Sequence, residues 1–292
     1  MDKRSLLIRA HLCRGIGPKG EQKIFQYMQE NNQPPHTRDL VELLGGSKAN
    51  LEQFLADFHS KKTSSKMAAN QRAGGILTIL DAEYPAQLKE TYEPPLVLFY
   101  RGNLALLKQP ALAVVGARKM SSYGPKVLQQ LLPQVCHFQI PIISGAAMGI
   151  DSVAHQTTLQ AHGQTIAVIG TGLDLTYPRG NEQLQTQISS QGLLLTEYEL
   201  GQKPLAFHFP MRNRIIAGLC HSLLVVEAQH HSGSLITANL ALQENRNVLA
   251  VPGAITSASS IGCNELIQAG AKPVLKSADI LEDFLNTLTN ED

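Results

Sequence analysis

The stretch Ile140-Pro-Ile-Ile-Ser-Gly-Ala-Ala-Met-Gly-Ile-Asp151 runs from a short apolar segment into small residues and then into a helical pattern. A strand, a tight glycine loop and a helix in this order form the unit with which parallel α/β proteins bind anions at a strand end. Gly145 and Gly149 let the backbone turn tightly, and Ser144 and Asp151 are candidates to cap the helix. The spacing is a poor match to the dinucleotide fingerprint G-x-G-x-x-G, so the loop alone predicts an α/β protein with an anion at a strand end.

From residue 111 onwards, short apolar runs alternate with helical patterns. The runs are continuously apolar, which is typical of strands that are buried on both faces of a sheet. With the intervening helices they predict an α/β fold with a doubly wound, mostly parallel Rossmann-like sheet. The expected strands, each with the helix that follows it where one is indicated, are 76–80, 96–100, 111–115 with 126–136, 140–143 with 152–161, 165–169 with 182–189, 193–196, 223–226 with 235–243, and 248–251 with 264–268.

The first 70 residues carry helical patterns and predict a small separate domain, of SAM-like or helix-hairpin-helix-like type. We therefore expect a helical domain (1–70), an extended Rossmann-like domain (71–285) and a tail (286–292), with a last helical pattern over 280–288. The turn Gly15-Ile16-Gly17 fits a nucleic-acid-binding hairpin, in which the turn amides meet a phosphate, and it fits a plain helical hairpin equally well. The polar stretch 60–69 is expected to be a linker or a loosely packed segment.

Composition limits the classes of protein that the chain can belong to. A net charge of +1 over 292 residues gives no sign of a nucleic-acid or membrane partner, so any basic surface must be local. The four cysteines form no C-x-x-C pair and no zinc spacing, and we expect reduced thiols in a cytoplasmic protein with neither metal nor cofactor. No signal-peptide pattern opens the sequence, and no apolar run approaches the ~20 residues of a membrane helix.

Three successive predicted strands end in loops that contain glycine, and arginines follow these loops. Because the carboxyl ends of parallel strands meet at one edge of a sheet, the loops should form one floor of backbone amides. Amides and arginines suit phosphates, and a nearby aromatic ring suits a base. For Arg212 and Arg214 there is an alternative, in which one of the two pairs with a core carboxylate, Asp151 or Glu197. The candidate binding residues are Gly116, Arg118, Ser144, Gly145, Gly170, Thr171, Gly172, Arg179, Phe209, Arg212, Asn213 and Arg214.

Phe209 is the candidate to stack on a base. Because Pro210 follows it, we expect an extended backbone at Phe209 and a helix that begins at Met211, which places the ring at a loop-to-helix entrance. The alternative is a hydrophobic staple, in which Phe209 packs against the first turn of its own helix, although Phe207 is available for that task.

Catalytic interpretations of the sequence are weak, and we expect no catalytic residue. Asp151 is a possible general base but fits a helix cap better, and Glu227 follows a strand as a possible acid or base. The histidines show no metal-ligand spacing. Ser232-Gly233-Ser234 lacks the flanking glycines of a nucleophile elbow, so it reads as a turn and helix cap with a further anion contact as an option.

Seven motifs occur in order along the chain: Val114-Val115-Gly116-Ala117-Arg118, 144–151 (Ser-Gly-Ala-Ala-Met-Gly-Ile-Asp), 170–174 with Tyr177-Pro178, 209–218, 232–238, 251–253 and 262–264. With these motifs, residues 76–280 resemble the DNA processing protein A family (DprA, also called Smf). The resemblance implies a Rossmann-like domain that binds single-stranded DNA without catalysis, in a homodimer that protects incoming DNA and loads the RecA recombinase in natural transformation. Family members often have basic residues where this chain has Met148 and Met211, so its pocket is expected to be less positive.

Two alternatives belong to other classes of protein. A Rossmann-like nucleoside-monophosphate phosphoribohydrolase would carry a P-G-G-x-G-T-x-x-E loop, but the corresponding segment 232–238 is followed by no carboxylate within a turn. A dinucleotide-dependent oxidoreductase would need the G-x-G-x-x-G loop and an acid at the end of the second strand, and both are missing.

Overall fold

The computed structural model describes residues 1–285, and these residues contain one sheet of nine strands in the order β1-β2-β6-β5-β4-β3-β7-β8-β9. Strands β3 to β9 are parallel, whereas β2 pairs antiparallel with both β1 and β6. In chain order the strands are β1 (Gly75–Thr78), β2 (Val97–Gly102), β3 (Leu112–Val115), β4 (Ile142–Ser144), β5 (Thr165–Ile169), β6 (Leu193–Thr196), β7 (Ser222–Val225), β8 (Asn247–Ala250) and β9 (Lys272–Pro273).

Helices cover both faces of this sheet, and five more precede it. The predicted α/β class is confirmed, with its doubly wound, mostly parallel sheet and its small helical N-terminal region. The helices are α1 (Lys3–His11), α2 (Pro18–Glu30), α3 (Thr37–Leu44), α4 (Lys48–Phe58), α5 (Lys61–Ala73), α6 (Ala86–Lys89), α7 (Tyr123–His137), α8 (Ile150–Gln160), α9 (Glu182–Gln191), α10 (His208–Leu219), α11 (Gly233–Gln243), α12 (Ile261–Gln268) and α13 (Ser277–Leu281).

Two buried clusters lie on the two faces of the sheet, as the pleat of β3 illustrates. Ala113 and Val115 join the larger cluster, which extends into the N-terminal helices, whereas Leu112 and Val114 join the smaller one. Successive side chains of a strand point to opposite faces, so a run of apolar residues is buried on both sides. This is why the strands read as continuously apolar in the sequence.

The stretch predicted as a linker is helix α5, so that prediction is wrong. The Ser60 hydroxyl caps the helix by accepting from the amide of Thr63 at 3.1 Å. Asn70 is buried, and its side-chain oxygen accepts from the amide of Leu200 at 3.0 Å. Polar composition was misleading because the polar residues of α5 satisfy helix ends and contacts with the sheet domain.

The N-terminal helices are tied directly to the sheet domain. Arg4 of α1 pairs with Asp81 at 2.7 Å, and Lys66 of α5 pairs with Glu199 at 2.7 Å. The ring of His11 lies between the Glu21 carboxylate and the Glu197 carbonyl, each 2.8 Å from one ring nitrogen. The division of the chain at residue 70 stays a prediction. The tail 286–292 and the end of the helical pattern over 280–288 lie outside the described residues.

Candidate nucleic-acid interface

A cavity of about 520 Å³ opens at the carboxyl ends of the central strands. Strands β4, β5 and β6 follow β3 on one side, whereas β7 and β8 lie on the other, so the winding changes direction between β3 and β7. Ligands of open α/β sheets bind at this kind of crevice. The lining residues are Val115, Gly116, Ala117, Arg118, Lys119, Ala147, Asp151, Arg212, Asn213, Ile216, Gln229, Ser232, Gly233, Ser234 and Thr237.

The loop after β3 owes its shape to two glycines. A Cβ atom at Gly116 would lie 2.6 Å from Cγ1 of Ile150, the first residue of α8. Gly149 has a φ of +83°, and a Cβ there would lie 2.2 Å from the Ala117 carbonyl oxygen. Only glycine permits so close an approach and this backbone conformation. In the loop that these glycines shape, the Arg118 side chain is exposed and lies beside the cavity.

Helix α8 is not capped by a side chain, so the expected cap is wrong. Its N-cap is Gly149, without a side-chain hydrogen bond, and Asp151 lies inside the first turn. The Asp151 carboxylate instead accepts from the Ala147 amide at 3.4 Å. Burial raises the pKa of Asp151, and the neighbouring Arg212 opposes that rise.

Phe209 lies in an aromatic and cationic cluster at the rim of this edge. The ring of Tyr177 is 5.3 Å from the ring of Phe209, and the Arg118 guanidinium carbon lies 5.4 Å from the Phe209 centroid. Phe209 is half-buried, and Tyr177 is 44% exposed. A second, smaller pocket beside Phe209 shares Arg118, Ala147 and Arg212 with the main cavity. The two pockets therefore form one surface with a ring at one end.

The expected extended backbone at Phe209 is wrong, because α10 begins at His208 and includes both Phe209 and Pro210. The amide protons in the first turn of a helix have no acceptor within the helix, so a proline at this position breaks no helical hydrogen bond. Phe207 is 63% exposed, and it is Phe209 that contacts Tyr177 and lies against Gly170. A Cβ at Gly170 would be 3.3 Å from the Phe209 ring, so the absence of a side chain at Gly170 allows the ring to pack closely against the loop.

The loop after β5 is closed, in contrast to the first loop. The Thr171 hydroxyl donates to the Leu175 carbonyl at 2.8 Å, and the Gly172 amide donates to the Gln202 carbonyl at 3.0 Å. Both residues are buried, and neither lines the main cavity. The structure therefore corrects the prediction that Thr171 and Gly172 face a ligand. They hold the loop together instead.

Ser144 and Arg212 support the floor from within. Ser144 is fully buried, and its hydroxyl donates to the Val114 carbonyl at 2.7 Å, so it is not available to a ligand. The Arg212 guanidinium lies against Gly145, where a Cβ would meet its Nη1, and Nη1 donates to the Val168 carbonyl. Burial lowers the pKa of Arg212, and Asp151 opposes that effect.

The remaining three candidates have different surroundings. Arg214 points away from the cavity and forms a two-pronged ion pair with Glu197, which is the alternative partner considered from the sequence. Asn213 is half-buried and lines the cavity. Arg179 is exposed on a turn that Asn181 anchors by donating to the Ala146 carbonyl at 2.9 Å. Within the described residues the side chain of Arg179 has no ion pair or hydrogen bond.

Glu227, the carboxylate that was considered as a general acid or base, already accepts hydrogen bonds from another residue of the protein. Glu227 is buried, and its two oxygens accept from the amide and the hydroxyl of Ser121. Glu227 therefore fixes the entry to α7. In the part of the chain that the structure describes, no group of three His, Cys, Asp or Glu side chains is placed to hold a metal, and no helix has the length and apolar character needed to span a bilayer.

Sequence reasoning missed several residues of this edge. Tyr177 was available as the aromatic residue next to Pro178, two positions before Arg179, but its position against Phe209 follows from the loop geometry. Lys119 directly follows Arg118 and is exposed at the cavity. The start of α11 was an optional anion contact in the sequence, but only the topology, with β7 next to β3, shows that it enters the same cavity.

The fold and this edge define the class of the molecule: a doubly wound α/β protein with an open cavity at the strand ends and with exposed cations and an aromatic ring beside it. The chain belongs to the DNA recombination-mediator protein A family, whose sequence model matches residues 75–285. DNA processing protein DprA of Streptococcus pneumoniae is 44% identical over 266 residues, which are 90% of this chain and 92% of that protein. The corresponding protein of Bacillus subtilis is 38% identical, over 85% of this chain and 82% of that one.

Solved structures agree with this assignment. The X-ray structure of the Streptococcus pneumoniae protein superposes with a TM-score of 0.86 at 40% identity and covers 95% of each chain. A structure of DNA processing protein A from Helicobacter pylori, which concerns its single-stranded DNA binding mode, has a TM-score of 0.66 at 26% identity. It covers 73% of this chain and 97% of that one.

Proposed function

We propose that this protein binds single-stranded DNA at the edge formed by Phe209, Tyr177 and Arg118, protects the strand and, as a homodimer, loads the RecA recombinase during natural transformation and recombination. The binding is not catalytic and takes place in the cytoplasm. Membership of a family of recombination mediators supports the general role, and the single-stranded DNA binding mode of the Helicobacter pylori relative supports the choice of ligand.

The observation that carries the proposal is the half-buried ring of Phe209, which contacts Tyr177 and the Arg118 guanidinium and lies against Gly170. An aromatic ring offers a stacking surface to any base, and an adjacent cation and free amides suit the phosphate that follows. A base inside a duplex is already stacked on both sides, so this arrangement favours an unpaired strand.

The test is a gel shift with labelled single strands and blunt duplexes of equal length, at two salt concentrations. We expect selective binding of the single strand and weaker binding at the higher salt concentration, because phosphate contacts release counterions. Equal affinity for the duplex would contradict the proposal.

The functions that follow binding need measurements of their own. RecA assembly on single strands should be faster in the presence of the protein, and light scattering should give the mass of a dimer. With nucleoside monophosphates as substrates, no free base should be released, since Glu227 is engaged by Ser121. Release that is abolished by Glu227→Gln would establish the hydrolase alternative instead.

A further inference from the structure

One wall of the 520 Å³ cavity has no part in the stacking site described above. This wall is the first turn of α11, where Ser232, Gly233, Ser234 and Thr237 line the cavity. The first amides of a helix have no partner within it, and no side chain caps this end. Among the described residues, the amides of Gly233 and Ser234 donate to no acceptor. The helix thus presents free donors and the positive end of its dipole to the cavity.

The second observation comes from inside the cavity. Arg212 lines it while only 4% exposed, and its Nε has no acceptor among the described residues. Arg118 and Lys119 add two exposed cations to the lining. Asp151 is the one acidic residue in the lining, and its interaction with Arg212 offsets its charge. Three cations against one acid leave the cavity positive, although the protein as a whole is nearly neutral.

We propose that this wall binds a terminal phosphate monoester of a DNA strand, an inference that rests on the proposed single-strand binding. A phosphate monoester presents three acceptor oxygens and close to two charges, whereas a phosphate inside a strand has two free oxygens and one charge. The wall and the neighbouring Arg212 offer donors to each of the three oxygens, and the positive cavity suits the second charge. The donors are two amides, the buried arginine and the spare proton of the Ser232–Ser234 hydroxyl pair, whose oxygens are 2.8 Å apart.

The position of the wall agrees with an end of the strand. The cavity and the pocket beside Phe209 share Arg118, Ala147 and Arg212, so a base on Phe209 and a phosphate at α11 belong to one short stretch of DNA. A volume of about 520 Å³ lies within the range of about 300–1,000 Å³ that is typical of sites for small ligands, and it accommodates a terminal nucleotide. The protein would then grip a strand by its end.

The experiment compares one single-strand sequence with four kinds of end: 5′-phosphate, 3′-phosphate, hydroxyl at both ends, and a closed circle. Fluorescence anisotropy of the full chain gives each dissociation constant, with deoxynucleoside monophosphates as free competitors. We expect one of the phosphorylated ends to bind ~10-fold more tightly than the hydroxyl ends, because charge-assisted hydrogen bonds to the phosphate are gained.

Two substitutions at one position isolate the wall. Ser232→Asp and Ser232→Asn both provide a good N-cap, so both variants should fold, and they differ mainly in charge. Ser232→Asn should keep the preference for the phosphorylated end, and Ser232→Asp should reduce it to within ~2-fold by repulsion of the phosphate. Binding of hydroxyl-ended and circular strands should change little in either variant.

The outcomes separate this inference from the proposed function. Binding of hydroxyl-ended strands that is lost in Phe209→Ala reports on single-strand binding, and the ratio between phosphorylated and hydroxyl ends reports on the wall. Equal affinity for all four strands would overturn the inference and leave the proposed function intact. A free monophosphate that binds as tightly as the phosphorylated strand would also overturn it, because the ligand would then be the nucleotide and not the end of a strand.

Discussion

Two walls of the same strand-end edge use similar residues in opposite ways. The open wall consists of the loop after β3 with Arg118 and the loop after β4, and it faces the cavity. The closed wall consists of the loop after β5 with the Arg214–Glu197 pair. The Thr171 hydroxyl, the Gly172 amide and the terminal nitrogens of Arg214 have acceptors within the protein. Glycines and arginines occur in both walls. The two walls differ in what covers them, because the segment around Gln202 packs over the closed wall and accepts a hydrogen bond from its Gly172 amide.

The largest expected effect is on the closed wall. Arg214→Ala leaves Glu197 without its partner, and both side chains are at most 16% exposed. Breaking a fully buried ion pair costs about 3–5 kcal/mol, so for this partly buried pair we expect a loss near the lower end of that range in the free energy of unfolding, measured by urea denaturation. Arg38→Ala is the matched control, since its pair with Glu42 is exposed and should contribute little. A small effect of Arg214→Ala would show that the closed wall does not depend on this pair.

The next effect is on the ring that separates the two walls. Phe209→Ala should weaken single-strand binding by ~10- to 100-fold, since stacking of a base on an aromatic side chain is worth roughly 1–3 kcal/mol. The dependence of affinity on salt should stay the same because no charge is removed. Phe209→Tyr is the control and should bind nearly as well as the parent. If Phe209→Ala melts far lower and yet binds normally when folded, the ring is a staple of α10 and not a platform.

A pH titration of stability tests how the closed wall is joined to the N-terminal helices. Burial disfavours the charged ring of His11, but the charges and hydrogen bonds of Glu21 and Glu197 together outweigh this effect and raise the pKa of His11 to about 9. A folded-state pKa above the ordinary 6.5 stabilises the protein fully below pH 6.5, and this contribution is lost as the pH rises through about 9. Between pH 7 and 9 we expect a loss of about 1–2 kcal/mol in the free energy of unfolding. His11→Gln should flatten this part of the profile, and an unchanged profile would contradict the assignment.

The smallest effect distinguishes the exposed arginines from the engaged ones. Removing one phosphate contact should reduce the slope of log affinity against log salt by about 0.7 for a single strand. We expect this reduction for Arg118→Ala and for Arg179→Ala, and no reduction for Arg214→Ala once unfolded protein is excluded. Salt titrations of the three variants measure it. The same slope in all three would mean that exposure at this edge does not predict phosphate binding.

The sequence predicted the sheet because each strand is decided by its own residues. The runs 165–169 and 193–196 coincide with β5 and β6, since continuous burial leaves an unbroken apolar signal. The prediction that the candidate site lies at the strand ends rests on the same argument. Local signals were insufficient at α5, where composition suggested a linker, and at Phe209, where the restriction before proline gave way to the start of a helix.

The roles of individual site residues were beyond the sequence because they depend on contacts between distant segments. Ser144 ends β4 and Thr171 follows β5, yet each donates its hydroxyl to a carbonyl and is buried. Arg212 and Arg214 are two residues apart on α10, and the helix turns one toward the cavity and the other toward Glu197. Ser232 follows β7 and is distant in sequence from the other site residues. It lines the cavity because β7 lies next to β3 in the sheet.

Helix α10 carries Phe209, Arg212 and Arg214, and each of these side chains is held by a different part of the protein. A side chain that is already fixed when a ligand arrives has little rotamer freedom left to lose. The entropy lost on association would then come mainly from the DNA strand, whose flexible backbone and unstacked bases must be ordered. The heat of binding should accordingly vary with the intrinsic stacking of the strand that is offered, so that poly(dA) and poly(dT) differ in enthalpy more than in affinity.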